Sequence, residues 1–321
     1  KYIYTNNHIL FFKMNKKLLL HIGLHKTGST FLQQLIFKKI SKDYNLKSNL
    51  IDNSISNEIL EKLSLFKSNI NCLSSLEKID LQNGIISDES LCSPRSNPAY
   101  YEPLCNFNYK MFGPKAHVLI VIRKPSEFLR SIYLQNIHKG KMISIDQFFL
   151  NKVDFDKKKN DKNIISNYGA WNLEIFNYQY LINLYKQKFE EVTVCKFEDV
   201  FKLNYLNKIF NLEENYISNL RQRNSHKKLN KAFSNSAVSL SFFLEKNLNK
   251  VGMSLSQKNI FSNIKLNNKF IKLLRHNLTY KKIVSNTLDQ IIPYKKFKIN
   301  FSNFEYFDLE KADKDYENII T

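Results

Sequence analysis

Short apolar segments that alternate with helical stretches are the feature that most constrains the fold of this chain. The clearest of them, His117–Ile122, is rich in β-branched residues and almost wholly apolar, which is typical of a strand buried on both faces. Leu18–Ile22, Gly84–Ser87 and Glu191–Cys195 are further strand candidates. Strands of this kind separated by helices predict an α/β fold with three layers, in which helices flank a central parallel sheet.

Apolar residues at helical spacing predict the connecting helices. One covers Ser29–Ile40, and a second begins at Pro125, a residue suited to a first helical turn, and runs to about His138. A third covers residues 172–188, and the region from about 204 to 290 is predicted to be mainly helical and basic.

The chain shows no internal repeat and no low-complexity linker. Residues 1–13 differ in character from the rest of the chain, and Met14 reads like a start immediately before the first strand. We therefore predict a disordered or non-native extension at 1–13, followed by a single domain over 14–321.

Composition limits the kind of ligand. The chain has 321 residues and a formal net charge of +20, which favours an anionic partner such as a nucleic acid, a membrane surface, a phosphorylated cofactor or an acidic polymer. Nucleotide bias in the genome would account for part of this charge as well. The four cysteines form no CxxC pair, so we predict reduced thiols rather than a zinc site or a disulfide framework. No apolar run reaches the roughly 18 residues of a membrane span, and we predict a cytoplasmic protein.

The segment Gly23–Thr30, with the sequence GLHKTGST, carries the most information about function. The chain has only seven glycines, and two of them lie here, between a predicted strand and a predicted helix. Such a turn offers backbone N–H groups, a helix N-terminus, a lysine and hydroxyls to one anion. It is not a Walker A loop, because Lys26 precedes Gly28 instead of following it. The predicted phosphate-binding residues are Lys26, Thr27, Gly28, Ser29 and Thr30. The alternative is an ordinary turn in which Gly28 adopts a positive φ and Ser29 caps the helix.

A second basic motif follows the clearest strand. Arg123 comes directly after Ile122, and Ser131 lies in the second turn of the helix that begins at Pro125. Arginine suits a phosphate dianion because it makes bidentate, charge-assisted hydrogen bonds. Taken alone, Arg123 would be an ordinary surface cation.

Residues 21–33 resemble the 5′-phosphosulfate loop of sulfotransferases that use 3′-phosphoadenosine 5′-phosphosulfate (PAPS), with most similarity to the bacterial, carbohydrate-sulfotransferase-like branch. That family places an arginine after a later strand and a serine on the next helix, where both hold the 3′-phosphate, and Arg123 and Ser131 are similar to this pair. Weaker similarity at Ile85–Leu91, Phe197–Asp199 and Arg221–Ser225 extends the resemblance over about residues 17–230.

The resemblance implies a P-loop-type fold and an enzyme that moves the sulfuryl group of PAPS to an acceptor hydroxyl, on a carbohydrate, with release of PAP (3′-phosphoadenosine 5′-phosphate). Lys26 would stabilise the leaving oxygen, the residues from Thr27 to Thr30 would hold the 5′-phosphosulfate, and Arg123 and Ser131 would hold the 3′-phosphate. The family needs no metal, and the sequence shows no cluster of metal ligands.

A general base would assist attack by an acceptor hydroxyl. Glu89 is the first candidate, because it follows a predicted strand where parallel sheets place their active sites. Its neighbour Asp88 stands where the family usually has serine and leaves open which carboxylate is the base. His25 is the other candidate, since it lies inside the loop and an imidazole ordinarily titrates near neutral pH.

Other functions remain open at this point. One is an enzyme like a P-loop nucleotide kinase, although the Walker A lysine and a convincing acidic Mg²⁺ site are missing. Another is a basic nucleic-acid-binding protein, although no known nucleic-acid-binding motif accompanies the charge. A small-molecule alcohol or an amine is also open as acceptor, and the sequence does not indicate the oligomeric state.

Overall fold

The computed structural model of the chain describes residues 18–79, 81, 83–93, 98–138, 142–148, 173–224, 234–250, 295–301 and 308–320. One sheet of five strands runs through these residues. Its members are β1 (Leu18–His21), β2 (Lys47–Ser48), β3 (Gly84–Ser87), β4 (His117–Ile122) and β5 (Glu191–Lys196). The spatial order is β2-β3-β1-β4-β5, and all neighbouring strands are parallel. The predicted α/β fold with a central parallel sheet and flanking helices is confirmed.

The helices lie between and after the strands. In chain order they are α1 (Ser29–Phe31), a π-helical segment (Leu32–Phe37), α2 (Lys38–Asp43), α3 (Asn53–Ser68), α4 (Tyr101–Phe112), α5 (Pro125–His138), α6 (Ile145–Phe148), α7 (Tyr178–Lys188), α8 (Tyr205–Phe210), α9 (Glu214–Asn224), α10 (Asn235–Asn249) and α11 (Leu309–Glu317). Within the described ranges, no helix is both long enough and apolar enough to cross a bilayer.

The chain forms two compact units. The first comprises residues 1–124, 172–229 and 311–321, and the second comprises residues 125–171 and 230–310. The sheet lies in the first unit. In the second unit, Tyr133 of α5 packs against Phe148 of α6 and stacks on Phe297, with ring centroids 5.3 and 5.8 Å away. The single domain proposed for residues 14–321 stays a prediction, and the extension proposed for residues 1–13 lies outside the described residues.

The core of the first unit explains why the sheet forms. All six residues of β4 are buried, as expected for a strand covered on both faces. Leu19, Ile85 and Leu119, from three neighbouring strands, pack with the buried side of the first helical run, where Ile36 and Ile40 are fully buried. Each such aliphatic side chain contributes roughly 1.5–3 kcal/mol to folding through removal of its surface from water.

The connections between the strands change direction at β1. The chain leaves β1 in one direction to reach β2, and the later connections run in the opposite direction, through β3 and β4 to β5. Right-handed crossovers place oppositely directed connections on opposite faces of a sheet. The carboxyl end of β1 is therefore a topological switch point, which is where open α/β sheets form their ligand-binding crevices.

Several boundaries differ from the sequence-based expectation. The first strand ends at His21 rather than Ile22, and the helical run that begins at Ser29 reaches Asp43 instead of Ile40. Residues 172–188 do not form one helix, because Asn177 separates a 3₁₀ turn from α7 and caps α7 by accepting a hydrogen bond from the Tyr180 N–H at 3.1 Å. α5 spans Pro125–His138 as predicted. Of the region 204–290, α8, α9 and α10 are helical, and residues 225–233 and 251–294 lie outside the described residues.

Candidate functional site

The loop after β1 holds a compact turn. The Thr27 Oγ1–H donates to the Leu24 carbonyl at 2.5 Å, so this hydroxyl is used inside the loop. The Gly28 carbonyl accepts hydrogen bonds from the N–H groups of Phe31 (2.9 Å) and Leu32 (3.2 Å), which starts the helix. Because Thr27 is fully buried, its contribution to an anion would come from its backbone N–H and not from its side chain.

The two glycines of the loop are needed for different reasons. Gly28 has a φ of +92°, a conformation that favours glycine, and an added Cβ would lie 3.3 Å from Val200. Gly23 instead permits close packing, because an added Cβ would lie 2.6 Å from Nε2 of His21 and 3.1 Å from Oγ of Ser29. Lys26 also has a positive φ, of 64°. The loop therefore has two residues, Lys26 and Gly28, in the region of positive φ, which residues with a side chain seldom adopt.

The helix after the loop begins directly at Ser29. Gly28 is the residue that precedes it, and no side chain caps it. The predicted Ser29 cap is therefore wrong, whereas the positive φ predicted for Gly28 in the same alternative is confirmed. The helical run continues through the π-helical segment Leu32–Phe37 to Asp43, and π-helical turns are frequent at functional sites. A helix N-terminus offers backbone N–H groups and the positive end of the helix dipole, and both favour an anion at this end.

The hydroxyls of Ser29 and Thr30, both predicted to bind phosphate, differ in their burial. The Ser29 Oγ is buried and makes no hydrogen bond of standard geometry with any residue that the structure describes. Its proximity to Glu89 nevertheless helps to lower the pKa of that carboxyl. Thr30 is half-buried at the same end of the helix. An unpaired buried hydroxyl costs stability unless it finds a partner, so an anion in the loop would satisfy Ser29.

Arg123 lies against the loop, although 97 residues of chain separate it from Lys26. Its Nη1–H donates to the Lys26 carbonyl at 2.7 Å, and its guanidinium lies 4.2 Å from the centroid of the Phe197 ring. The Tyr178 hydroxyl donates to the Arg123 carbonyl at 2.7 Å and holds the backbone at the end of β4. The contact between the two sequence motifs follows from the adjacency of β1 and β4 in the sheet.

Two of the candidate bases form a pair. His25 Nδ1 contacts Oε2 of Glu89, and their side chains are 39% and 28% exposed. Burial raises the pKa of Glu89, but its interactions with His25 and the proximity of the Ser29 hydroxyl outweigh this effect, so the net shift is downward. The Asp88 side chain is engaged elsewhere, because it accepts hydrogen bonds from the N–H and the hydroxyl of Ser90.

A buried polar network supports the loop from behind. Nδ1 of His21 lies 2.7 Å from Oγ of Ser87, and desolvation by burial lowers the pKa of His21 to about 4. Gln33 donates to the Ser87 carbonyl at 3.3 Å and to its hydroxyl oxygen at 3.2 Å. Asn49 pairs with the Ser87 backbone through both its amide oxygen and its amide nitrogen, at 3.0 and 3.2 Å. These contacts hold the carboxyl ends of β1 and β3 and the first helical run together.

Sequence reasoning missed this network. His21 lies within an apolar segment that predicts only a strand, and Asn49 follows a strand of two residues that leaves no periodic signal. A histidine at the end of a buried strand is the one signal that could have indicated His21. Ser131 lies on α5, in the second unit, and is half-buried; its assignment to a phosphate stays a prediction.

The arrangement in the first unit can hold an anionic group and can move a proton. It combines a loop with positive φ values, a helix start, Lys26, Arg123 and a histidine–carboxylate pair. No group of three or more His, Cys, Asp and Glu that could hold a metal ion is present among the described residues.

No family model matches this chain, and no curated protein matches it. The fold and the site define an α/β protein with a five-stranded parallel sheet and a strand–loop–helix turn at its carboxyl edge.

Proposed function

We propose that this protein is a PAPS-dependent sulfotransferase that transfers the sulfuryl group of PAPS to a hydroxyl of a carbohydrate acceptor and releases PAP. One observation carries the proposal: Arg123, at the end of β4, contacts the Lys26 carbonyl of the loop after β1 at 2.7 Å. Arg123, the arginine of the second motif, thus lies beside the loop of the first motif, as binding of one nucleotide by both residues requires.

The loop residues suit the 5′-phosphosulfate. The N–H groups from Thr27 to Thr30 precede or open a helix, and the buried Ser29 hydroxyl has no described partner of standard geometry. Arg123 suits the 3′-phosphate, because a guanidinium makes bidentate, charge-assisted hydrogen bonds to a phosphate. Ser131 is expected to share the 3′-phosphate on the basis of the sequence alone.

The proposed reaction depends on positioning and charge, as phosphoryl transfer does. The acceptor oxygen attacks sulfur in line with the bond to the nucleotide phosphate, and negative charge develops on the oxygen that leaves with PAP. Lys26 neutralises this charge from within the loop. The Lys26 carbonyl also accepts a hydrogen bond from Arg123, so the backbone of Lys26 contacts the arginine of the second motif.

Transfer of labelled sulfate tests the proposal. The full chain is incubated with ³⁵S-labelled PAPS and a panel of oligosaccharides and polysaccharides, and the label in the acceptor is counted. We expect Lys26→Ala to lower transfer by about 10²–10³-fold, the loss typical of one charge-stabilising donor. Lys39→Ala is the matched control, because Lys39 lies on the same helical run and pairs with Asp43 at 2.7 Å.

The outcomes separate this proposal from the alternatives. Absence of label in any acceptor, including small alcohols and amines, would contradict it, and so would full activity of the Lys26→Ala variant. Binding of ATP without binding of PAP would favour a kinase-like enzyme. Salt-dependent binding to DNA without binding of PAP would favour a nucleic-acid-binding protein.

A further inference from the structure

The contact between His25 and Glu89 follows from the register of the sheet. His21 and Ser87 are partners at the ends of β1 and β3, so the residues after both strands emerge side by side at the carboxyl edge. His25 lies four residues beyond its strand and Glu89 two residues beyond. The sheet itself therefore brings the imidazole of the loop to the carboxylate of the neighbouring strand end.

The chemistry of the pair determines which nitrogen carries the proton. A carboxylate can only accept hydrogen bonds, and the lowered pKa of Glu89 keeps it ionised at neutral pH. Nδ1 of His25 contacts Oε2 of Glu89, so a neutral imidazole must carry its proton on Nδ1. Its Nε2 then holds the free electron pair that a general base requires.

None of the other titratable groups described near the pair takes the place of His25 or Glu89. His21 is buried behind the loop and stays neutral. Lys26 is a cation and cannot accept the hydrogen bond that the imidazole donates. Asp88, which faces Lys67, is engaged with Ser90. Arg123 is bound to the Lys26 carbonyl.

We propose that His25 is the general base of the transfer and that Glu89 is a positioning residue that fixes the tautomer of His25. This inference rests on the proposed sulfotransferase function. The acceptor oxygen forms its bond to sulfur while its proton passes to Nε2 of His25. The bond between sulfur and the bridging oxygen breaks, and its electron pair leaves on the phosphate of PAP. The imidazolium is stabilised by the Glu89 carboxylate and releases its proton to water after the products leave.

Glu89 is less suited to accept the proton itself. One of its oxygens already contacts His25, and a carboxyl whose pKa is lowered is a weaker base for an alcohol. The same relationship between a base and a carboxylate that orients it occurs in hydrolytic triads on unrelated folds.

The kinetics of two variants test the assignment. We expect His25→Ala to lower kcat by about 10²–10⁴-fold without loss of PAP binding, and added imidazole to restore part of the rate. We expect Glu89→Gln to lower kcat less than His25→Ala does and to leave the KM for PAPS unchanged, because it removes only the carboxylate that orients the imidazole.

The chain offers a matched control for the second variant. His117 Nδ1 lies 2.8 Å from Oε2 of Glu191, and both residues begin their strands, at the edge of the sheet opposite the loop. Glu191→Gln breaks a histidine–carboxylate pair of the same kind, and kcat should not change.

The possible results separate the inference from the function on which it rests. Transfer that survives His25→Ala, or a Glu89→Gln variant that loses at least as much activity as His25→Ala does, would overturn the inference alone. Failure of the wild-type chain to transfer sulfate would overturn both. Nitrogen NMR of ¹⁵N-labelled histidine gives a readout that needs no turnover: a proton on Nδ1 of His25 in the wild type, which Glu89→Gln redistributes, supports the pairing, and a proton on Nε2 in the wild type overturns it.

Discussion

Burial of His21 lowers the stability of the folded protein in acid, and a variant without this histidine can separate its effect from that of other groups. His21 is 1% exposed, and desolvation lowers its pKa from 6.5 to about 4, with the charge of Glu89 opposing only part of the shift. The unfolded chain therefore takes up a proton at this residue more readily than the folded protein does. His21 therefore does not reduce the free energy of unfolding above pH 6.5, but it reduces it progressively as the pH falls from 6.5 towards 4.

The size of the effect follows from the two pKa values. At about 1.4 kcal/mol for each pH unit, the interval from 6.5 to about 4 corresponds to about 3 kcal/mol lost in full below pH 4. At pH 5 the loss is about 2 kcal/mol. Total stabilities of folded domains are about 5–15 kcal/mol, so this one residue produces a measurable fraction of the acid sensitivity.

Urea unfolding at pH 7.5, 6.5, 5.5 and 5, followed by circular dichroism, measures this loss. The comparison variant is His21→Asn, whose amide replaces Nδ1 opposite Ser87 but does not titrate. Other groups contribute equally to both proteins, so the difference in slope belongs to His21. The wild type should lose about 2 kcal/mol more than the variant between pH 7.5 and 5. Parallel slopes in the two proteins would refute the reasoning, as would a charged His21 ring at pH 6 by NMR.

Further predictions concern the backbone of the site. Gly28→Ala should destabilise the protein by about 1–2 kcal/mol, the cost of a left-handed conformation for a residue with a side chain, and an unchanged urea midpoint would contradict this. Gly23→Ala should cost about 1–3 kcal/mol through overpacking, and less in a His21→Ala background, since its Cβ meets that ring at 2.6 Å; strictly additive effects would argue against the contact. Tyr178→Phe should cost about 1 kcal/mol and weaken PAP binding, because its hydroxyl holds the Arg123 carbonyl; calorimetry that shows unchanged affinity would exclude that link.

The main elements of the sheet could be predicted because they carry strong local signals. β4 is buried on both faces, and its β-branched residues mark it without any tertiary information. β2 has only two residues and owes its existence to pairing with β3, which no local pattern reveals. The break at Asn177 was missed for a similar reason, since the apolar spacing on its two sides continues a helical pattern.

The candidate site was predictable as a set of residues and not as an arrangement. The loop and Arg123 are visible as separate motifs, but their contact depends on the order of the strands, which places β4 beside β1. His25 and Glu89 are competing bases in the sequence, and the register of β1 and β3 brings them together as a pair. Long-range partners of this kind follow from the topology, which the spacing of residues along the chain does not encode.

The most direct test of the central claim is to compare the affinities of PAP and AMP by titration calorimetry, since the two ligands differ only in the 3′-phosphate. The wild-type chain should bind PAP about 10- to 100-fold more tightly than AMP, the range expected for hydrogen bonds to a charged group. Arg123→Gln should remove most of this difference and leave AMP binding largely unchanged. Equal affinities of the wild type for PAP and AMP, or a preference for PAP that survives Arg123→Gln, would contradict the assignment of this site to PAPS.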